Sequence, residues 1–287
     1  MSRRTATVIT HSRAEELAEP MRRVIAAAAE AGVLLRFDSE ETRKHAIASG
    51  EGIVADAPVQ PEVDLCLVLG GDGTILRALR LYARTGVPVF AVNYGDVGFL
   101  ATIEPEDIDR GLRRAFNGDF EPMRLPAVVL GDGDAFLGVN DVSFHRKPGF
   151  RVADLAYGIG PDEVGRVRCD GLVVSTPAGS TGYNLANGGP VVAWGVEGFV
   201  VSFIAPHSLT ARTLVVAPND TVAVQNRSRD PIDVTVDGRP ICELAAQDAL
   251  QVRFVDAQTV LAQMPGSSFY HRLRETFGRL ASYHRTD

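Results

Sequence analysis

The chain has 287 residues, 45% hydrophobic and 23% charged, enough for two ordinary domains with cores of their own. A net charge of -7 excludes a protein that holds nucleic acid by bulk phosphate neutralisation, so an anionic ligand must be met locally. No apolar run approaches the ~20 residues of a membrane span, and Cys66, Cys169 and Cys242 form no CxxC pair, which predicts a reducing cytoplasm, no membrane and no metal cluster.

Residues 6–10 form a β-branched run, after which Ser12 is placed to cap an Ala/Glu/Arg-rich helix ending near Ala31, where Gly32 stops it. "VLLRFD" reads as a second strand, and the three together predict the opening of a Rossmann-like domain. The polar, glycine-containing stretch "SGEGIVADAPVQPE" reads as a loop. "LCLVL" is then a buried strand, and "TILRALRLYART" has helical spacing, with Ile75, Leu79 and Tyr82 on one face. "VPVFAVN" is another strand, and "PEDIDRGLRRAFNGD" a helix opening on Pro105 with acids in its first turn.

After about Phe120 helical periodicity gives way to short alternating runs broken by Gly, Asp, Asn and Pro, such as "TLVVAPNDTVAVQ", "IDVTVDGRPI" and "ALQVRFV". That texture predicts an antiparallel β domain. The tail "SSFYHRLRETFGRLASYH" is amphipathic and helical. The expected organisation is an α/β Rossmann-like domain over 1–120, a β-rich, sandwich-like domain over 121–262, and a helical tail over 263–287 that packs back on the first domain.

The string "GGDGT" (70–74) lies at a strand-to-helix junction. Its glycines let backbone approach a ligand, and a helix N-terminus favours an anion. It is neither a P-loop, since no lysine is near, nor a dinucleotide turn, since Leu76 stands where the third glycine belongs. Asp72 therefore reads either as a turn or cap residue, or as a group that accepts a proton from, or orients, an attacking hydroxyl. The second reading points to phosphoryl transfer to an alcohol.

"GGDGT" resembles the shared signature of a superfamily that includes NAD kinases, diacylglycerol and sphingosine kinases. "CDGLVVSTPAGSTGYNLANGGPVV" (169–192) is similar to the second NAD kinase signature, and its hydroxyls and glycines suit a ribose and a purine. "VNYGDVGFL" (92–100), "NDV" (140–142), "PHSLTARTLVV" (206–216) and "VDGR" (236–239) resemble further segments of that family in the same order.

The resemblance implies an NAD kinase/diacylglycerol kinase-like fold and an enzyme that phosphorylates the 2′-hydroxyl of the adenosine ribose of NAD. ATP or polyphosphate would be the donor and Mg2+ would offset its charge, with catalysis in the cleft between the domains. By position, Asp72 is the base or orienting group. Gly71, Gly73 and Thr74 approach phosphates, and Arg77 joins the nucleotide-binding set. Phe99 forms the pocket floor, Asn140 and Asp141 bind NAD hydroxyls, and Asp170, with Arg168 beside it, meets the nicotinamide end. Thr181, Gly182, Tyr183 and Ala186 line the dinucleotide site, and no residue is assigned as a protein metal ligand. The family's habit implies a homodimer or homotetramer.

Asp141 replaces the family's glutamate, Gly182 its alanine, Ala178 its threonine and Ala186 its serine; the last removes one hydrogen bond to the dinucleotide. A lipid kinase and a non-catalytic NAD sensor remain as alternatives, the first opposed by the polar 170–190 loop and the second by Asp72. "GDGD" (131–134) reads as a hairpin turn, His207 as structural, and "HRK" (145–147) as a solvated loop.

Overall fold

The computed structural model describes residues 3–96, 98–131 and 136–281. The chain divides into two compact units, one formed by residues 1–124 and 259–287 and the other by residues 125–258. No described helix is long and apolar enough to cross a membrane.

In the first unit, β1 (Thr5–Thr10) leads into a 3-10 turn and α1 (Ala18–Glu30). Ser12 does not cap this helix; the cap positions are Arg13 and Leu17, because the 3-10 turn intervenes. There follow β2 (Leu34–Arg36), α2 (Ser39–His45), β3 (Ile53–Val54), β4 (Leu65–Leu69), α3 (Asp72–Leu81), β5 (Pro88–Val92) and α4 (Ile108–Asn117). α2 and β3 fall where sequence patterning shows only polar loop. α2 is specified by capping, with the Asp38 carboxylate accepting from the Glu41 amide, more than by an apolar face.

The strands are parallel in the order β3, β2, β1, β4, β5. All five residues of β4 are buried, as expected for a strand with both sheet faces covered. α4 buries Ile108, Gly111, Leu112, Ala115 and Phe116, the i, i+3, i+4 stripe of a helix lying on a sheet. The chain runs outward from β1 through β2 to β3, then returns to the other side of β1 with β4. The order reverses between β1 and β4, and open α/β sheets hold ligands beyond the carboxyl ends of the strands at such a point.

The second unit contains β6 (Glu121–Leu130), entered from the first, β7 (Phe136–Gly138), β8 (Asp141–Arg146), β9 (Ala153–Ile159), β10 (Asp162–Cys169) and β11 (Gly171–Ser175). A short helix α5 (Tyr183–Ala186) precedes β12 (Phe199–Ile204), β13 (Leu214–Val216), β14 (Thr221–Asn226), β15 (Ile232–Val236), β16 (Arg239–Leu244) and β17 (Ala249–Gln263). One antiparallel sheet is ordered β13, β12, β11, β8, β15, β16 and a second β10, β9, β14, β17. Alternate residues of both, among them Phe144, Leu172, Val201 and Val234 from one and Leu155, Val224 and Val252 from the other, form a single core. This is the expected β-rich sandwich.

β17 ends beside β5, and α6 (Phe269–Ala281) closes the first unit. The expected "GDGD" hairpin turn lies largely outside the described residues, as does the end of the tail.

Candidate active site

A recess of about 490 Å3 lies at the point where the first unit's strand order reverses. It is lined by residues 11–13 after β1, residues 71–74 after β4, and Tyr94, Gly95, Asp96 and Gly98 after β5. Its size is in the range of small-molecule sites. The first amides of a helix have no partner within it, and those of α3 open here beside the Asp72 and Asp96 carboxylates. The segments come close because they lack side chains. A Cβ on Gly95 would stand 2.7 Å from the Gly71 Cα, and one on Gly98 would stand 2.5 Å from the Asp72 Cγ.

Asp72 is the first residue of α3, whose N-cap is Gly71, and no side chain caps the helix. Its carboxylate accepts hydrogen bonds from the amides of Phe99 (2.9 Å, at Oδ2) and Leu100 (3.1 Å, at Oδ1). Each oxygen keeps a further lone pair for another donor. The group is therefore held by one bond per oxygen at the edge of the recess.

In the second unit three strand ends meet. β8 begins at Asp141, paired across to Ser175 at the end of β11, while the register of β15 sets Val236 opposite Val142. Asp237 and Gly238 follow with φ of 46° and 72°, the positive pair of a type I′ hairpin turn. The Asp237 carboxylate accepts the amides of Val139 (3.0 Å), Asn140 (2.8 Å) and Asp141 (3.2 Å). Thr176 Oγ1 donates to the Val139 carbonyl at 2.6 Å and accepts the Gly179 amide at 3.0 Å, pinning the 176–182 loop to the same turn.

Burial, and then the charge of Asp237, push the Asp141 carboxyl up to about 7. Asn140 Oδ1 is buried with no hydrogen-bond partner from the protein, and so can accept from a ligand or a water. Tyr183 is exposed and stacks on the His145 ring at 5.6 Å.

The chain matches known proteins over both units. Residues 7–120 match the model of the ATP-NAD kinase N-terminal domain and residues 139–264 that of the C-terminal domain. An NAD kinase of Lachnoclostridium phytofermentans is 36% identical over 242 residues, covering 79% of this chain and 85% of its own. This chain belongs to the NAD kinase family. An NAD kinase from Archaeoglobus fulgidus, solved in complex with ATP, is 26% identical with a TM-score of 0.76, covering 97% of this chain and 99% of that one. Yeast NADH kinase, solved with NADH, shares the fold at 20% identity and a TM-score of 0.84, covering 100% of this chain and 90% of its own.

Within this NAD kinase family member, Gly71, Asp72, Gly73 and Thr74 all line the recess, and Phe99 is buried beside it with its amide on Asp72. Arg77 is not among the lining residues: its guanidinium is bound to Glu40 (3.2 Å) and to the fully buried Glu41 (3.0 Å). Asn140 and Asp141 sit on the Asp237 turn with Gly182 close to the Asn140 side chain, and Thr181 Oγ1 donates to the Ala178 carbonyl in the same loop, whereas Asp170 stands at the far end of the β8–β11 ladder. Five residues of ladder separate the two ends, roughly 17 Å. Tyr183 lies near enough to both that the Asp141 and Asp170 charges each raise its pKa, after burial. Arg168 and Ala186 are exposed.

The partner of Asp170 is Arg146 and not Arg168: Arg146 Nε donates to Oδ1 at 2.5 Å and Nη2 to Oδ2 at 3.3 Å, holding the carboxyl below the usual range. His145 and Arg146 thus belong to a central strand and not to a solvated loop. Asp237, Arg146 and Arg272 are the residues that sequence reasoning missed; only Asp237 carried a signal, as the Asp of an Asp-Gly hairpin.

Proposed function

We propose that this chain is an NAD kinase that transfers the terminal phosphoryl group of ATP to the 2′-hydroxyl of the adenosine ribose of NAD, giving NADP. The observation that carries this reading is a carboxylate held by two amides beside a helix N-terminus, an arrangement suited to a hydroxyl and a phosphate at once. The ribose oxygen attacks the γ-phosphorus, and the bond from phosphorus to the β,γ-bridging oxygen breaks. ADP leaves with that electron pair, and the hydroxyl proton goes to Asp72. The loose transition state of phosphoryl transfer leaves the protein mainly to position and to neutralise.

The 71–73 amides would hold the donor phosphates through backbone, with inorganic polyphosphate as a second donor. Asn140 and Asp141 bind dinucleotide hydroxyls, Tyr183 the purine, and Asp170 the nicotinamide end. Asp72 and Asp96, both lining the recess, are oxygen donors of the kind magnesium takes alongside phosphate and water. A magnesium ion held between these carboxylates and the donor would supply charge neutralisation on the phosphates. The reaction is cytoplasmic, in keeping with Cys66, Cys169 and Cys242 as free thiols. The working form is a homo-oligomer, supported by Leu209, 97% exposed, and Val215, 55% exposed on edge strand β13.

The test is purified protein with NAD, magnesium and ATP or polyphosphate, NADP being read by an NADP-specific dehydrogenase, alongside Asp72→Asn. NADP from the parent and at least a hundredfold less from the variant supports the assignment. NAD binding with no NADP from either donor leaves a sensor, and phosphorylation of a lipid alcohol in place of NAD leaves a lipid kinase.

A further inference from the structure

The two amides that hold Asp72 belong to residues 99 and 100, and the carbonyls of Phe99 and Ala101 are held from elsewhere. Arg272, on α6, donates through Nη1 to the carbonyl of Phe99 at 2.9 Å and to that of Ala101, and through Nη2 to Gln263 Oε1 at 2.5 Å. On the same helix Phe277 packs edge-on against the Phe99 ring at 5.9 Å. The peptide unit between Phe99 and Leu100 is therefore gripped at both ends, its N–H turned to Asp72 and its C=O to Arg272, and the Ala101 carbonyl anchors the chain just beyond it.

We infer that Arg272 is a positioning residue for phosphoryl transfer: it fixes the orientation of the Phe99–Leu100 peptide and through it the angle at which the Asp72 carboxylate meets its hydroxyl. The inference rests on the proposed role of Asp72. A peptide unit carries its C=O and N–H rigidly opposed, so a guanidinium that fixes the Phe99 carbonyl fixes the Leu100 amide as well. Burial lowers the Arg272 pKa, and Asp72, Glu104 and Glu275 oppose that shift by their charge. Arginine suits this task better than lysine, because its planar fork holds the two carbonyls through Nη1 while Nη2 is fixed on Gln263, whereas an ammonium is a single point of attachment.

The test is a cycle of Arg272→Gln, Arg272→Lys, Asp72→Asn and the Arg272→Gln/Asp72→Asn double variant, with kcat, KM for NAD and ATP, and a thermal melt for each. Misplacement of a catalytic group by about 1 Å costs up to ~100-fold, so Arg272→Gln should lower kcat roughly 10- to 100-fold. KM for both substrates should stay within about threefold, Arg272→Lys should fall between, and the double variant should be no slower than Asp72→Asn alone. Losses that multiply in the double variant, or a kcat per folded molecule equal to the parent's, would overturn the inference and leave α6 a purely structural clasp. Should Arg272→Gln not fold, Arg272→Lys carries the same cycle, with the same criterion of non-additivity. Absence of NADP from the parent would overturn the proposed function instead, an outcome distinct from any in this cycle.

Discussion

Asp141 sets a pH dependence whose sign and size follow from its surroundings. Its carboxyl is buried among β8, the 176–182 loop and the Asp237 turn, and titrates at about 7 against 3.8 for a free aspartate. The folded state therefore binds a proton more readily than the unfolded state between about pH 4 and pH 7. Stability contributed through this group is intact below pH 4, declines as pH rises through that window, and reaches its full penalty above pH 7. At 1.36 kcal/mol per pH unit the penalty is about 4 kcal/mol.

His145, on the same strand, works in the opposite direction. Burial lowers its pKa from 6.5, so protonation of the unfolded chain costs stability as pH falls through that value. Comparison with Asp141→Asn removes the histidine's share, because both proteins carry it. Trp194 is the chain's single tryptophan and is buried in the second unit, so its fluorescence follows that unit. In urea, with a slope of about 2 kcal/mol per molar, Asp141→Asn should raise the midpoint at pH 8 by about 2 M relative to the parent and by almost nothing at pH 4. An equal shift at both pH values would refute the argument, since it would show a packing effect and not a titration.

Gly98→Ala should cut kcat at least tenfold with little loss of fold, because the new methyl occupies the space of the Asp72 carboxylate; an unchanged kcat would mean that Asp72 can leave its amides without penalty. Asp237→Ala should cost about 3 kcal/mol by stranding three amides, raise KM for NAD, and lower the Asp141 pKa by removing its neighbouring charge; urea titration and the pH profile of KM check both. Glu41→Gln should cost about 3 kcal/mol, because Lys44 at 2.9 Å and Arg77 at 3.0 Å lose a counter-charge that is fully buried; a change within 0.5 kcal/mol of zero would show that water replaces the charge.

Much of the fold was legible in one dimension. Buried strands such as Leu65–Leu69, the α3 stripe of Ile75, Leu79 and Tyr82, and the alternation of β14 and β15 all follow from period and burial, which neighbouring residues encode locally. α2 and β3 were not legible, because a short polar helix held by one aspartate cap and a two-residue strand have no period to read.

The site divides along the same line. The sequence by itself determined the chemical inventory: glycines that let backbone approach backbone, an aspartate at a strand-to-helix junction, and a hydroxyl-rich loop for a sugar. Those are properties of residue type at a given spacing, and they survive without coordinates. Only the tertiary structure decided which group holds which. Arg146 and not Arg168 meets Asp170, because residues paired across a ladder are set by register and not by nearness in sequence. Asp237 reaches Asp141 from 96 residues away, and Arg272 reaches Phe99 from 173 away. Such contacts carry no local period; they form where separate elements, each stable for its own reasons, are packed edge to edge.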